Sequence, residues 1–455
     1  MIITVKNLGV IKKAEFDTSK KLTVFCGPNS TGKTYLSYVI YAALSDSQIY
    51  KLKSFENVKH LLSNQDKDKE EFPKIPLKKE YFDELLPKIS TSCKNRIGDV
   101  FGIQEEKEKA FFNKFNISFS ISDKNYNDII NNNYTIKVRN RNQKYEFVIK
   151  EKQKNYLNSD IFFSKDFIAP SSYVFGLMLR RLVDQYVYML PVERNSIYTF
   201  KTELSLNRNQ LIDKILDNKR PSISINDLIN NNTRRYPLVI KDNLYTANDL
   251  TTVQKHNSEL YKCAKEIEEK LLHGGITITE NGDVEFNVNE KVSLPIGMSS
   301  SIVKTLASLV ITLKYQVKKG DLLIIDEPEM NLHPDNQILL ARIFAQMVNM
   351  GIKLVISTHS DYIIRELNNL IMLSGVSNDD VQSFSKMGYD KSMMLKKEDV
   401  AAYMFNFDKD NLVTVENLDV TETGFEVSTI DAAINSINEA SEELYYSLKS
   451  RQNEN

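Results

Sequence analysis

Apolar and polar positions divide the chain into stretches of different character. Residues 1–44 alternate strand and turn and then enter a helix. Leu22-Thr23-Val24-Phe25-Cys26 is the continuous apolar run of a buried strand, and Tyr35 to Leu44 is an apolar helical run. Charged helical stretches follow over 51–88, with every residue of Asp66–Glu71 charged. Period-two alternation then predicts strands at Phe115–Ser120, Tyr134–Arg139 and Tyr145–Ile149, the first two separated by an Asn131-Asn132-Asn133 turn. Residues 166–190 read as helical and apolar, closing on Tyr188-Met189-Leu190-Pro191. Residues 200–272 read as mostly helical and polar, with Leu250 to Leu272 long enough for one helix. A hairpin comes next, Ile276–Ile278 and Val284–Phe286 around an Asn281-Gly282 turn. Residues 300–370 read helix, strand, helix, strand, helix. The last 85 residues hold short mixed elements and a final helix from Ile430 to about Leu448.

Composition narrows the class. At 455 residues the chain is expected to form about three domains, or one interrupted by large insertions. A hydrophobic fraction of 42% supports a sizeable core. No apolar run reaches the roughly 18 residues of a membrane span. The opening Met1–Lys6 reads as a strand, without the regions of a signal peptide. Cys26, Cys93 and Cys263 are far apart and odd in number, which disfavours a disulfide framework or a zinc site. A cytoplasmic location is expected. The net charge of −1 gives no field toward nucleic acid or anionic membrane, leaving only a local basic patch open.

The chemistry begins at Gly27-Pro28-Asn29-Ser30-Thr31-Gly32-Lys33-Thr34, which fits G-x-x-x-x-G-K-[ST] after a strand and before a helix. Backbone amides of such a loop cradle phosphate oxygens. Lys33 supplies a point charge between β- and γ-phosphates, and the Thr34 hydroxyl can complete a magnesium shell. A nucleoside triphosphate is the expected ligand. Asp321–Ile325 is an apolar strand ending in Asp326-Glu327-Pro328-Glu329. Asp326 is positioned to hold Mg2+ and Glu327 to take a proton from the attacking water; a plain strand-end turn is the alternative. A second buried strand, Lys353–Ile356, leads to Ser357-Thr358-His359-Ser360, where His359 can sense a γ-phosphate by a hydrogen bond or serve structurally. Between them lies Asn331-Leu332-His333-Pro334-Asp335. It reads as a loop contacting a second subunit or as a helix start with Asp335 at its N-terminus. His333 as a metal ligand lacks a second His or Cys at ligand spacing.

Together these segments resemble the ABC-type ATPases of the SMC, RecF and OLD-like branch, and in particular the stand-alone AAA-type ATPases of bacterial defence loci. The resemblance rests on Ile325–Glu329, Asn331–Pro334 and Ser357–Leu370, and covers roughly 1–45, 186–200 and 274–370. It implies an α/β fold: an ABC-type P-loop NTPase head with an inserted helical and antiparallel β lobe and a small C-terminal α/β extension. The implied organisation is head at 1–45, inserted lobe at 46–185, head segment at 186–200, helical insertion at 201–273, head again at 274–370, and an oligomerisation or partner-binding extension at 371–455. About 290 residues between the phosphate loop and the acidic strand fit an interrupted head and disfavour a compact transporter subunit.

The resemblance further implies ATP and Mg2+ as cofactors and an ATP-sandwiched homodimer or higher oligomer. In that family a signature serine of one head meets the γ-phosphate held by the other. The usual Leu-Ser-Gly-Gly is replaced here by Ile296-Gly297-Met298-Ser299-Ser300-Ser301. Aligning on Lys304-Thr305-Leu306 selects Ser300, and aligning on Met298-Ser299 selects Ser299; N-capping is the alternative role. The family's Q-loop glutamine has several candidates, among them Gln48, Gln143 and Gln185. Leu190–Ser196 looks like a segment common to the group, with Glu193–Arg194 either near the nucleotide or a structural ion pair. No nuclease active site is expected in the chain. The implied function is control of a separate toxic effector, such as a nuclease, in antiphage defence. A RecF-like DNA-maintenance ATPase and an ATP-gated scaffold with negligible turnover are the other readings.

Overall fold

The computed structural model describes residues 1–45, 75–76, 79–103, 105–121, 135–141, 144–150, 163–164, 186–201, 236–377 and 380–453. The Asp66–Glu71 run, the Asn131–Asn133 turn, and residues 165–185 and 202–235 lie outside them, as do Gln48, Gln143 and Gln185.

Sixteen described strands, numbered in chain order, form three sheets. The largest is mixed and nine-stranded. Its members are β1 (Ile2–Leu8), β2 (Ile11–Asp17), β3 (Leu22–Cys26), β5 (Asn116–Ser120), β9 (Val187–Leu190), β13 (Leu322–Asp326), β14 (Lys353–Ser357), β15 (Val400–Phe407) and β16 (Val413–Leu418), in the order β5-β1-β2-β16-β15-β3-β14-β13-β9. The run β15-β3-β14-β13-β9 is parallel throughout. Its strands are short apolar runs because both faces are covered, so no position needs to be polar. β4 (Ile75–Pro76), β6 (Thr135–Arg141), β7 (Lys144–Lys150) and β8 (Phe163–Ser164) form an antiparallel sheet in the inserted lobe. The expected hairpin is present as β10 (Gly275–Ile278) and β11 (Val284–Asn289), extended by β12 (Val292–Pro295).

Five helices are used below: α1 (Lys33–Ser45), α2 (Lys79–Asn95), α3 (Ser301–Tyr315), α4 (Pro334–Asn349) and α5 (Asp361–Gly375); α6 (Ser428–Asn453) is the last of the described helices. Strand alternation divides the core between the two faces of the sheet. Phe25, Ile324, Val355, Ala401 and Phe405 point toward Leu36, Val39 and Ile40 of α1 and Phe82, Leu85 and Ile89 of α2. Val24, Leu323, Ile325, Ile356 and Ala402 point toward Leu306, Val310, Phe344 and Leu367 of α3, α4 and α5.

Three expectations change. Val187–Leu190 is a strand, hydrogen-bonded in parallel to β13, and does not belong to a helix. Leu250–Leu272 is broken: helices Leu250–Val253 and Tyr261–Ile267 and a π-helical turn Glu268–Leu272 replace one rod. At the break Ser258 caps outward interactions instead, its hydroxyl donating to the Val317 carbonyl and accepting from the Leu260 amide at 3.0 Å. Finally, two strands of the segment 371–455 belong to the large sheet. β15 lies inside the nine-stranded sheet beside β3, and β16 joins it to β2, because Val400–Phe405 is a fully buried apolar run that completes the sheet.

Candidate functional site

Parallel pairing aligns the carboxyl ends of the strands: Phe25 with Ser357, Asp326 with Ser357, and Cys26 with Met404. Everything that follows these strands therefore meets at one edge of the sheet, where open α/β folds bind ligands.

The loop after β3 needs its glycines. Gly27 has φ +135°, and a Cβ there would stand 2.4 Å from the Phe405 carbonyl oxygen. Gly32, at φ +87°, packs on Ile11, and Ser30 between them is also left-handed at φ +63°. Such conformations turn successive amides inward. Lys33 opens α1, and its buried ammonium donates to the carbonyls of Gly27 (3.0 Å) and Pro28 (2.8 Å) and to the Thr31 hydroxyl (3.3 Å). Burial pulls its pKa down to about 8, against the pull of Asp326 and Glu327.

Asp326 is buried at the end of β13. Ser357 donates a hydrogen bond to its Oδ1, and the Ser357 and Thr34 hydroxyls favour its charged form. Burial is the larger effect and raises its pKa. Its Oδ2 is buried with no hydrogen-bond partner among the described residues. An orphaned carboxylate oxygen beside the Thr34 hydroxyl suits a divalent cation: both are hard oxygen ligands of the kind Mg2+ prefers.

Glu327 is held at φ +46°, a left-handed conformation costing on the order of 1–3 kcal/mol for a non-glycine residue. Its amide donates to the Ser357 carbonyl at 3.0 Å. Its half-buried carboxyl has a raised pKa, from burial first and then from the neighbouring Asp326 charge. His359 Nε2 lies 4.0 Å from Glu327 Oε1. Burial, with a smaller contribution from Lys33, lowers the His359 pKa to about 4, so the ring is neutral near pH 7. The His359 amide donates to Glu329 Oε1 at 2.6 Å, which fixes the turn after β14 against the turn after β13.

The residue that holds these turns together is Arg194, 2% exposed. Its Nη1 donates to the carbonyls of Pro191 (2.9 Å) and Asp326 (2.6 Å), and its Nη2 to that of Glu327 (2.6 Å). Arg194 thus lies at the turns that carry Asp326 and Glu327. Arg194 binds backbone, while Glu193 accepts from Tyr38 at 3.4 Å. A sequence shows an arginine but not its burial; the available signal was the resemblance of Leu190–Ser196 to a segment common to the group.

The structure thus brings together Gly27–Thr34, Asp326, Glu327 and His359. Ser299 and Ser300 make no hydrogen bond to any of them. Ser299 is buried, its hydroxyl 3.4 Å from the Pro295 carbonyl; Ser300 is exposed at the N-cap of α3 and its side chain makes no capping bond. Asn331, at φ +61°, donates to the Thr305 hydroxyl at 3.0 Å, and exposed His333 accepts from the Asp335 amide as the N-cap of α4. No cluster of three or more potential metal-binding side chains occurs among the described residues, so His333 has no ligand set around it.

A phosphate loop between β3 and α1, with carboxylates at the end of the parallel strand β13, defines a P-loop ATPase head of the mixed α/β class. The chain belongs to the AAA ATPase domain family, whose model matches residues 1–364. No curated protein matches it. Among solved structures it is similar to an Smc head bound to the C-winged helix domain of ScpA, at 13% identity over 92% of this chain and 98% of that one, with a TM-score of 0.34. It is similar also to a Pyrococcus furiosus Smc head with an extended coiled coil bound to the C-terminal domain of ScpA (11%, 97% and 98%, TM-score 0.33). A third is the SMC head domain from Thermotoga maritima (7%, 92% and 98%, TM-score 0.30). No helix among the described residues is long and apolar enough to cross a membrane.

Proposed function

We propose that the chain binds and hydrolyses ATP, closes around it with a second copy, and by doing so controls a separate toxic effector in antiphage defence. The observation that carries the ATPase reading is the meeting of Lys33, the orphaned Asp326 oxygen and the strained, raised-pKa Glu327 at one sheet edge. The loop amides and Lys33 bind and orient the triphosphate. Thr34 and Asp326 would hold Mg2+, which neutralises charge on the phosphate oxygens. Glu327 accepts the proton of the attacking water on its carboxylate, and burial makes it a stronger base for that task. Neutral His359 offers a hydrogen bond beside Glu327. Ser299 and Ser300, remote from this chain's own phosphate loop in hydrogen bonding, suit a role on the nucleotide of a second copy. The cytoplasm is the natural place for such a cycle.

Effector control rests on the resemblance to defence ATPases. Its test is a pull-down of the tagged chain from its own host with ATP present. A stoichiometric nuclease-like or toxin-like protein is expected. Nucleic acid or repair proteins without such a partner would overturn the effector reading and favour DNA maintenance.

A further inference from the structure

Gln337 stands near the start of α4, outside the ATPase site, yet its side chain joins two segments on which that site depends. The residue is half-buried. Its Nε2 donates to the Leu332 carbonyl at 2.9 Å, and its Oε1 accepts from the Ser360 hydroxyl. Leu332 ends the turn that begins at Glu327. That turn is held by bonds from the Met330 amide to the Glu327 carbonyl (3.3 Å) and from the Leu332 amide to the Glu329 carbonyl (3.0 Å). Ser360 directly follows His359 and is buried; its hydroxyl also accepts from the Ile363 amide at 3.1 Å as the N-cap of α5. Bonding in both directions needs a donor and an acceptor on one short side chain. A primary amide has both, and a carboxylate or an ammonium does not. A glutamine serving α4 alone would need only the Leu332 carbonyl; the bond from Ser360 crosses to another helix.

We propose that Gln337 is a positioning residue for His359, holding it beside Glu327 by tying Ser360 to the end of the Glu327 turn. The His359 ring makes no hydrogen bond among the described residues, and Glu327 Oε1 lies 4.0 Å from its Nε2. With no bond of its own, the ring takes its place from the backbone on either side. On one side the His359 amide is bound to Glu329 Oε1 at 2.6 Å. On the other, Ser360 is bound to Gln337 and, through its amide, to the Thr358 hydroxyl at 3.0 Å. Glu329, Leu332, Gln337, Ser360 and His359 thus form a closed circuit of bonds between the turn after β13 and the turn after β14. Opened at Gln337, this circuit keeps its Glu329 bond as a pivot between the two turns. A displacement of about 1 Å at a catalytic side chain is enough to cost on the order of 10²-fold in rate.

The inference rests on the ATPase reading above, and its test separates the two. Gln337→Met replaces the amide by an apolar group of similar length and leaves the Ser360 cap on Ile363 in place. ATP binding, read by equilibrium dialysis, should be unchanged, because Gln337 bonds to neither the phosphate loop nor Asp326. Turnover should fall about tenfold to a hundredfold. In a His359→Ala background the same substitution should slow turnover no further, since it acts through that ring. Normal turnover by Gln337→Met, or a full additional loss in the His359→Ala background, overturns the proposal. Ser360→Asp reaches the same link from the other side and decides the case should Gln337→Met fail to fold. It keeps an N-cap acceptor but cannot donate to Gln337, so it should show the same loss. Position is also read without turnover, by NMR of the histidine-labelled chain. The His359 ring signal, identified by its disappearance in His359→Ala, should move in Gln337→Met while those of His256 and His273 stay. An unmoved His359 signal overturns the proposal. A parent chain that hydrolyses no ATP overturns the ATPase reading alone, and the ring signal then still decides whether Gln337 places His359.

Discussion

Replacing Arg194 by methionine tests whether one buried guanidinium sets the geometry of the site. The side chain donates three hydrogen bonds, at 2.9, 2.6 and 2.6 Å, to carbonyls of two separate turns. A hydrogen bond to a charged group contributes about 1.5–3 kcal/mol, and a stranded buried acceptor costs about 1–3 kcal/mol. The three bonds share one side chain and are not additive, so a loss of about 3–5 kcal/mol is expected, the range for removing one partner of a buried charged arrangement. In a chain of this size, unfolding as one unit, that lowers Tm by roughly 3–5 °C. Removing the charge also raises the pKa values of the carboxylates that it lowers, Asp326 and Glu327. Arg194→Lys separates scaffold from site. It keeps the charge, but one ammonium cannot span the Pro191, Asp326 and Glu327 carbonyls as a planar fork does. It should fold, recover part of the stability, and still hydrolyse ATP tenfold to a hundredfold more slowly, because a shift of about 1 Å in the Glu327 turn is enough for that. The assays are thermal unfolding and steady-state phosphate release. An Arg194→Met protein with Tm within about 2 °C of the parent and normal turnover would refute the reasoning.

Glu327→Gln should keep ATP affinity and lose on the order of 10²–10⁴-fold in turnover, trapping the closed dimer; normal turnover would remove Glu327 from the role of base. Lys33, with a free-chain pKa of about 8, gains phosphate neighbours on binding, so its bound pKa is higher and binding takes up a proton. ATP affinity, measured by calorimetry, should therefore fall as pH rises through 8. On the acid side kcat/KM should decline at a pH above the ordinary glutamate value, because Glu327 is raised and must be ionised to act. Gly27→Ala meets the Phe405 carbonyl at 2.4 Å with φ +135°, so it should abolish ATP binding, read by equilibrium dialysis, by deforming the loop. Chelating Mg2+ should weaken ATP binding at least tenfold in the same assay.

How much of this was readable in advance follows the range of the interactions. The phosphate loop, the Asp326-Glu327 turn and His359 were legible because each is a local pattern: a buried strand, then residues fixed by what the chemistry requires. Strands β5, at the edge of the large sheet, and β6 and β7, in the four-stranded sheet, were legible from alternation. Val187–Leu190 was read as helix because a short apolar run looks alike in both states, and only its pairing with β13 decides. Val400–Phe405 is an equally apolar run, yet nothing local says that it inserts between β16 and β3. Arg194 was named in the sequence, but its role as a buried clamp on backbone carbonyls was not legible there. An arginine in a sequence looks solvated, and its burial follows from three carbonyls converging from segments more than 130 residues apart.

Charge shows why these distant segments are combined. Glu193, Asp326, Glu327 and Glu329 surround Arg194, and Lys33 feels the last three. Among the described residues these four carboxylates against two cations leave a formal −2 before any phosphate arrives. A triphosphate adds more negative charge, so this chain's groups alone repel the ligand that its loop is shaped to hold. The loop amides and the N-terminus of α1 offset part of that repulsion. The remainder requires a divalent cation, and the unpartnered Oδ2 of Asp326 is where this chain can bind one. Burial raises the pKa values of Asp326 and Glu327 first, and the neighbouring carboxylates add to it. A bound cation would bring Asp326 back toward its charged form while leaving Glu327, half-buried and uncoordinated, the more basic of the two. Adjacent carboxylates that share one sequence motif are thereby divided into a metal ligand and a proton acceptor.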